Sequence, residues 1–232
     1  REISMIFQEP MASLAPVYTI GAQMMEAVMV HQDKKDKKAA KDACMEMLRA
    51  VGMPDPEQKF NTYPHQMSGG QCQRAMIALA MVNRPKILIA DEPTTALDVT
   101  VQAQITDLMK HFQKEYNMSI IYITHDMGVI AEMADTIAVM YLGRVVESGS
   151  VKEIFKNLLH PYTRGLLKSM PVLGNKTGEK LNAIEGNVPV PLDPPAECGF
   201  CSRCPNRTPE CGAGIPSLKE VQPGHLVRCF HV

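Results

Sequence analysis

The sequence has no charge excess, no long apolar run and no glycine-rich phosphate loop. Its 24 basic and 25 acidic residues leave a formal net charge of -1, so no global basic field favours nucleic acid as a partner. No apolar run approaches the roughly 18 residues of a membrane-spanning helix, and we expect any membrane role to be peripheral. No segment matches the glycine-rich loop, ending in Lys-Ser or Lys-Thr, that cradles nucleotide phosphates.

Length and composition are ordinary for one globular domain with a small appendage. Of the 232 residues, 45% are hydrophobic and 21% are charged, which is enough for one sizeable core. One short basic cluster runs from Lys34 to Lys38 and is interrupted by Asp36. We interpret this cluster as the solvated start of a helix rather than a binding patch.

Short apolar runs alternate with helical patterns through residues 1–150. This alternation predicts an α/β fold with a largely parallel sheet, and the runs at 87–90 and 119–123 look like strands buried on both faces. The dipeptide Leu142-Gly143 predicts a hairpin that gives the sheet an antiparallel edge. The predicted strands are 4–7, 87–90, 119–123, 136–141 and 144–147, and the predicted helices are 20–30, 37–51, 67–83, 101–116 and 127–134.

The character of the sequence changes towards its C-terminus. From Leu173 onwards the periodicity disappears and prolines crowd together, which predicts a boundary near Pro171. The tail is too short for a core of its own, so we expect it to need a metal or packing against the body. Five of the seven cysteines fall in the last 35 residues. Such an odd, clustered set without a secretion signal favours metal over disulfides.

A serine and two glycines open the predicted third helix. Ser68 is a preferred N-cap residue, and Gly69 and Gly70 let the backbone approach a ligand closely. With Gln71 next in the chain, the free N–H groups of the first turn would form an anion site. Taken alone, a plain capped helix is the simpler interpretation.

Polar residues also follow two of the predicted strands. Asp91 and Glu92 come directly after an apolar run, where carboxylates face the ligand crevice of a parallel sheet. Such an aspartate can hold Mg²⁺, and a second carboxylate can deprotonate a water. His125 would lie in the same crevice. Taken singly, a solvated strand end or a structural histidine explains these residues as well.

In combination, these motifs resemble the ABC-type ATPase domain. That resemblance implies a P-loop NTPase-like core with a mixed, mostly parallel sheet and a helical subdomain at about residues 20–84. Gln8 resembles the family's Q-loop glutamine, and Met67 and Cys72 depart from its usual leucine and arginine. The matching segments, in chain order, are 67–71, 87–93, 96–98 and 124–125.

The resemblance implies a role for each matching residue near the carboxylates. Asp91 and Gln8 would hold Mg²⁺ through water. Glu92 would be the general base for the attacking water, and His125 would contact the γ-phosphate of ATP. Catalysis would then depend mostly on positioning and charge stabilisation.

It also implies an ATP site that is split between two chains. The signature residues would bind the ATP held by a second ABC ATPase subunit, usually a different chain. Asp98 would cross the interface between the two subunits. Hydrolysis would reopen that interface and drive the transporter. The signature residues are Ser68, Gly69, Gly70 and Gln71.

Three segments, 7–16, 63–70 and 160–167, resemble the oligopeptide/dipeptide importers. The resemblance implies an ATPase domain at 1–150 and an irregular, Cys- and Pro-rich C-terminal extension at 151–232. The implied partners are two transmembrane permease subunits and an extracellular or periplasmic solute-binding protein. The implied location is the cytoplasmic face of the cell membrane. The cargo would be di- or oligopeptides, with nickel or glutathione as alternatives.

The clustered cysteines resemble the recurring cysteines of that extension, which ligate a [4Fe–4S] cluster in some relatives. Four thiolates suit zinc as well, and free thiols are the plain alternative. Cys201 is extra and leaves open which four would be ligands. The matching cysteines are Cys198, Cys204, Cys211 and Cys229.

The missing phosphate loop would precede Gln8 in this family. We therefore expect an N-terminal truncation, little ATP hydrolysis by residues 1–232 alone, and exposed apolar surface on the sheet. Two other functions stay open. One is a soluble ABC ATPase acting on DNA or ribosomes, and the other is a redox or metal-binding module on an ABC scaffold.

Overall fold

The fold is given by a computed structural model that describes residues 1–31, 36–95, 97–169, 184–190, 192–193 and 195–232. These residues form two compact units, unit 1 (Arg1–Val129) and unit 2 (Ile130–Val232). Several sequence predictions fall outside the described residues. They are the boundary near Pro171, the lysines Lys34 and Lys35, and Ala96 of the segment 96–98.

Unit 1 contains the predicted parallel sheet, with strands in the order β1-β2-β3. All of the strands and long helices predicted here are confirmed to within a few residues. The short helices α1 and α4 were not predicted. The strands are β1 (Ile3–Ile6), β2 (Ile87–Asp91) and β3 (Ser119–Ile123). The helices are α1 (Pro10–Ser13), α2 (Ile20–Met29), α3 (Lys37–Ala50), α4 (Pro56–Phe60), α5 (Gly69–Met81) and α6 (Val99–Tyr116), and α7 (Met127–Met133) begins in unit 1 and ends in unit 2.

The two faces of this sheet differ in burial. Ile6 and Leu88 are fully buried, whereas Ile3 is 59% and Ile121 is 53% exposed. The prediction that β3 is buried on both faces is therefore wrong, because a continuous apolar run does not show how many faces are covered. The expected exposure of apolar surface on the sheet is confirmed.

Local capping sets the helix limits in unit 1. Ser68 is the N-cap of α5, as predicted. Asp98 is the N-cap of α6, with its side chain accepting a hydrogen bond from the Val101 N–H, and the helix therefore begins at Val99 rather than Val101. Asn117 ends α6 in the left-handed conformation, with φ of 48°.

Unit 2 contains the predicted hairpin in a sheet of its own. The turn residues Leu142 and Gly143 have φ of 46° and 73°, the conformation of a two-residue hairpin turn. The prediction of an antiparallel edge on the parallel sheet is wrong, because β5 pairs with β7 from the tail. Unit 2 has strands in the order β4-β5-β7-β6. Its elements are β4 (Thr136–Tyr141), β5 (Arg144–Ser150), α8 (Val151–Lys156), α9 (Pro161–Lys168), α10 (Pro209–Ala213), β6 (Lys219–Gln222) and β7 (His225–Val227).

The tail packs against this hairpin through an aromatic core. Phe200 is buried, and its ring centroid lies 5.3 Å from that of Tyr141 and 5.4 Å from that of Tyr162. Ile154 of α8 is also buried in this cluster. Of the two ways in which the tail was expected to be stabilised, the structure shows packing against the body.

Candidate functional site

The carboxyl ends of the three parallel strands bring Gln8, Glu92 and His125 into contact. Glu92 follows β2 directly, and Gln8 and His125 each lie two residues beyond their strand. The Gln8 side-chain amide donates to Glu92 Oε2 at 2.8 Å, and His125 Nδ1 lies 3.0 Å from Glu92 Oε1. Parallel strands end at the same edge of a sheet, which explains this convergence.

Glu92 is the centre of this group. Its backbone is in the left-handed region, with φ of 43°, which costs a non-glycine residue on the order of 1 kcal/mol. Its N–H donates to the Ile123 carbonyl at 2.9 Å, and Thr95 Oγ1 donates to Glu92 Oε2 at 2.8 Å. The hydrogen bonds from His125 and Thr95 lower the pKa of the Glu92 carboxyl. The site therefore favours the ionised form of Glu92.

The other predicted acidic residues flank this group. Asp91 is the last residue of β2 and is half-buried, beside Glu92. Asp98 is exposed, and its side chain caps α6. Asp98 therefore has a structural role in this chain, whether or not it also contacts a partner.

The signature residues form the N-terminus of α5. Ser68 Oγ accepts from the Gln71 N–H at 3.3 Å, and Gln71 Oε1 accepts from the Ser68 N–H at 3.2 Å. This reciprocal capping box fixes the first turn. A Cβ added at Gly69 would meet none of the described atoms within 4 Å, so packing within the chain does not require glycine there. Gly70 is half-buried, next to Val101.

The signature residues and the Glu92 group are separate in this structure. Among the described residues, no hydrogen bond joins positions 68–71 to Gln8, Glu92 or His125. The two groups are connected indirectly, because the Gln73 amide of α5 donates to the Pro93 carbonyl next to Glu92. This arrangement is compatible with two half-sites in one chain.

Sequence reasoning missed three residues around this site. Thr95 holds Glu92, Gln73 contacts Pro93, and Gln102 of α6 donates to Asp126 Oδ2 at 3.0 Å, just after His125. A signal was present for Gln73, since an uncharged amide precedes the apolar run 75–82 in the helix. Thr95 and Gln102 have no comparable sequence signal.

The clustered cysteines lie in unit 2. The Cys198 N–H donates to the Cys211 carbonyl at 3.1 Å, and the Cys201 N–H donates to the Cys198 carbonyl at 2.8 Å. Burial raises the pKa of the Cys198, Cys201 and Cys204 thiols. Within the described ranges, no group of three or more His, Cys, Asp or Glu side chains is arranged to hold a metal ion. Cys201 and Cys211 are buried, and Cys198, Cys204 and Cys229 are half-buried.

Two family profiles match the chain. Residues 1–95 match the profile described as ABC transporter, and residues 146–211 match the profile described as oligopeptide/dipeptide transporter, C-terminal region. The chain is 52% identical over 229 residues to the oligopeptide transport ATP-binding protein AppD of Bacillus subtilis, a match that covers 99% of the chain and 69% of AppD. This chain belongs to the ABC transporter family.

Other members of the ABC transporter family show the same similarity. The dipeptide transport ATP-binding protein DppD of Bacillus subtilis is 49% identical, with 99% of the chain and 68% of DppD covered. The solved ATP-binding cassette MJ0796, bound to ADP and Pi, is 27% identical with a TM-score of 0.57. The chain spans 63% of the length of that structure, and the match covers 65% of the chain.

A second ABC transporter structure, cbiO1 from Clostridium perfringens, is 31% identical with a TM-score of 0.57. The match covers 67% of the chain and 60% of cbiO1. In the described parts of the chain, no helix is both long and apolar enough to cross a bilayer.

Proposed function

We propose that this chain binds and hydrolyses ATP to energise the import of di- or oligopeptides across the cytoplasmic membrane. The observation that carries the proposal is Glu92, held by Gln8 and His125 at the carboxyl edge of a parallel sheet. The relatives AppD and DppD are named as oligopeptide and dipeptide transport ATP-binding proteins, which supports the choice of cargo.

Glu92 acts as the general base in this proposal. Hydrogen bonds from His125 and Thr95 lower the pKa of Glu92, so the carboxylate is ionised at neutral pH and can accept a proton from the attacking water. The His125 side chain is 77% exposed, which leaves its imidazole accessible to the γ-phosphate. Gln8 and Thr95 orient Glu92 through hydrogen bonds to the same carboxylate oxygen, Oε2.

Asp91 and Gln8 would hold Mg²⁺ through water. Carboxylate and amide oxygens suit the water shell of this hard cation, and the Gln8 nitrogen already donates to Glu92, which leaves the amide oxygen to accept from a metal-bound water. When bound, the ion neutralises charge on the phosphates of ATP. Asp91 is half-buried at the end of β2 and directly precedes Glu92 in the chain.

The proposed assembly contains a second, different ABC ATPase subunit whose ATP is bound by residues 68–71. Asp98 crosses the interface between the two ATPases. The other partners are two permease subunits and an extracellular or periplasmic solute-binding protein, with this chain peripheral at the cytoplasmic face. The ATPase domain is 1–150 and the extension is 151–232. Residues 1–232 contain no glycine-rich phosphate loop, so these residues alone should hydrolyse little ATP.

The decisive experiment is Glu92→Gln in the full-length subunit, assembled with its partners in lipid vesicles. ATP hydrolysis should fall at least about 100-fold, because a general base contributes 10²–10⁴-fold, while ATP binding is retained. The control is Glu57→Gln, which changes an exposed glutamate of α4 paired with Arg49. Hydrolysis unchanged by Glu92→Gln would contradict the proposal.

The cargo is tested in the same vesicles. Stimulation of ATP hydrolysis by a peptide-loaded binding protein supports peptide import, whereas stimulation by nickel or glutathione favours those alternatives. Hydrolysis that needs no permease would favour a soluble, non-transport ABC ATPase.

We also propose that four of the five clustered cysteines hold a [4Fe–4S] cluster, with zinc as the alternative. The support is the donor type, since thiols suit both. Iron, sulfide and zinc analysis of the anaerobically purified protein separates these from free thiols. Cys204→Ala should abolish a visible absorbance band that is lost on reduction. The control is Cys44→Ala, which changes a buried cysteine of α3 in the other unit.

A further inference from the structure

Gln73 is a buried amide in a helix whose other buried positions are apolar. It lies in α5 and is 2% exposed, and its side-chain nitrogen donates to the Pro93 carbonyl. A buried amide is costly unless it is hydrogen-bonded, so this contact ties α5 firmly to the segment after β2.

The segment that Gln73 holds is the one that carries Glu92. Pro93 follows Glu92, whose backbone is left-handed and whose N–H donates to the Ile123 carbonyl. The Thr95 N–H donates to the Glu92 carbonyl at 3.2 Å. The turn is therefore fixed from β3, from within itself and from α5. A shift of α5 would move the Pro93 peptide and, with it, Glu92.

The same helix begins at the signature residues. Gln73 lies five residues after the N-cap Ser68, a distance of about 7.5 Å along the axis at 1.5 Å per residue. The capping box of Ser68 and Gln71 makes the first turn a rigid continuation of the helix. Displacement of the signature residues would therefore reach Gln73 within the same element.

We propose that Gln73 is a positioning residue that couples the two half-sites of this chain. Contact of a neighbouring nucleotide with residues 68–71 moves α5, and Gln73 passes that movement through the Pro93 carbonyl to the Glu92 carboxylate. Hydrolysis at the chain's own site thus depends on occupancy of the neighbour's site. This inference rests on the proposed ATPase function.

The test is Gln73→Met in the full-length subunit assembled with its partners. Methionine nearly preserves the volume and removes the N–H donor. We expect kcat to fall at least about tenfold, while KM for ATP changes less than about twofold, because the residue positions a catalytic group without binding ATP. The matched control is Gln104→Met. Gln104 is an exposed residue of α6, and its side chain accepts a hydrogen bond from Arg74 of α5. Its replacement should leave kcat unchanged.

A double-variant cycle separates coupling from a merely structural role. If Gln73 relays the state of the signature residues, Ser68→Ala should lower kcat in the wild-type background and have little further effect in Gln73→Met. The coupling would be overturned if Ser68→Ala lowered kcat by the same factor in both backgrounds. A folded Gln73→Met variant with kcat within twofold of wild type would also overturn it. Circular dichroism melting verifies folding, and Gln73→Asn, whose amide is one methylene shorter, replaces Gln73→Met if that variant does not fold.

The outcome also separates this inference from the function on which it rests. Hydrolysis that is abolished by Glu92→Gln and unaffected by Gln73→Met overturns the coupling alone. A wild-type assembly that does not hydrolyse ATP overturns both.

Discussion

The pair Glu92–His125 in unit 1 and the pair Glu147–His225 in unit 2 have similar geometry and different surroundings. In unit 1, Glu92 lies 3.0 Å from His125, whose side chain is 77% exposed. In unit 2, Glu147 lies 2.8 Å from His225, and both side chains are fully buried. A buried charge must be satisfied inside the protein, whereas an exposed one can be satisfied by a ligand. Burial, rather than residue type, therefore distinguishes a structural pair from a catalytic candidate.

The buried pair organises the fold of unit 2. Glu147 of β5 also accepts hydrogen bonds from the Leu159 N–H at 2.9 Å and the His160 N–H at 3.1 Å. One carboxylate thus connects β5 to β7 and to the loop before α9. Glu92 is half-buried, but its partner His125 is exposed, so a nucleotide can reach this pair.

The largest expected effect follows from removing the buried carboxylate. Glu147→Ala leaves His225 and two backbone N–H groups without their acceptor, which should destabilise unit 2 by about 3–5 kcal/mol. Hydrogen exchange of the β5 and β7 amides measures this loss. The matched variant Glu92→Ala should change the stability of unit 1 by less than about 1 kcal/mol, because the His125 side of this pair is open to solvent. Equal losses of stability in the two variants would contradict the distinction between a structural pair and a catalytic pair.

The second expected effect is a pH dependence of unit 2. Burial lowers the pKa of His160 to about 4, although the nearby Glu147 charge opposes this shift. The neutral ring accepts the Tyr162 N–H at 3.1 Å and caps α9. Because the folded pKa lies below that of the unfolded chain, the stabilisation is complete above about pH 6.5 and is lost as the pH falls towards 4, by on the order of 3 kcal/mol.

His160→Asn sharpens this prediction. Asparagine is a good N-cap and does not titrate, so the variant should keep α9 and show a flatter stability between pH 6.5 and 4 than wild type. Hydrogen exchange of the α9 amides, measured at both pH values, reports the difference. An identical pH dependence in wild type and variant would rule out His160 as its source.

The elements of unit 1 could be predicted because their signals are local. Apolar runs and caps such as Ser68 predicted the strands and long helices, and polar residues after the parallel strands predicted that His125 would lie in the same crevice as Asp91 and Glu92. The burial of β3 was not predictable, since Ile121 looks the same in the sequence whether its face is covered or open.

The sheet of unit 2 could not be predicted from the sequence, because the contacts that organise it join residues that are distant in the chain. The Glu147–His225 hydrogen bond joins residues 78 positions apart, and neither residue stands in a pattern that indicates its partner. β5 pairs with β7 across a similar separation in sequence, so the sequence does not show which sheet the hairpin joins. Gln73 stands out in the sequence as an amide before an apolar run, but no sequence pattern identifies its partner, the backbone carbonyl of Pro93.

The smallest expected effect is on the acidic limb of kcat plotted against pH, and it tests the Glu92–His125 pair. His125 contributes most and Thr95 second to lowering the pKa of Glu92. Thr95→Val removes one donor to the ionised form, so the pKa of Glu92 should rise towards its ordinary range. Since the general base must be ionised, the acidic limb of kcat against pH should move to higher pH. Thr100→Val, an exposed change on α6, is the control.

The same variant should leave stability nearly unchanged. A lowered carboxyl pKa stabilises the fold above the pKa of the unfolded chain, and this contribution is lost as the pH falls through the folded pKa. Because the His125 side of the Glu92–His125 pair is open to solvent, screening keeps that contribution small. Thr95→Val should therefore shift the activity profile of unit 1 without shifting its melting temperature, whereas His160→Asn changes the stability of unit 2. A Thr95→Val variant that lost stability instead would place Glu92 with Glu147 as a structural carboxylate.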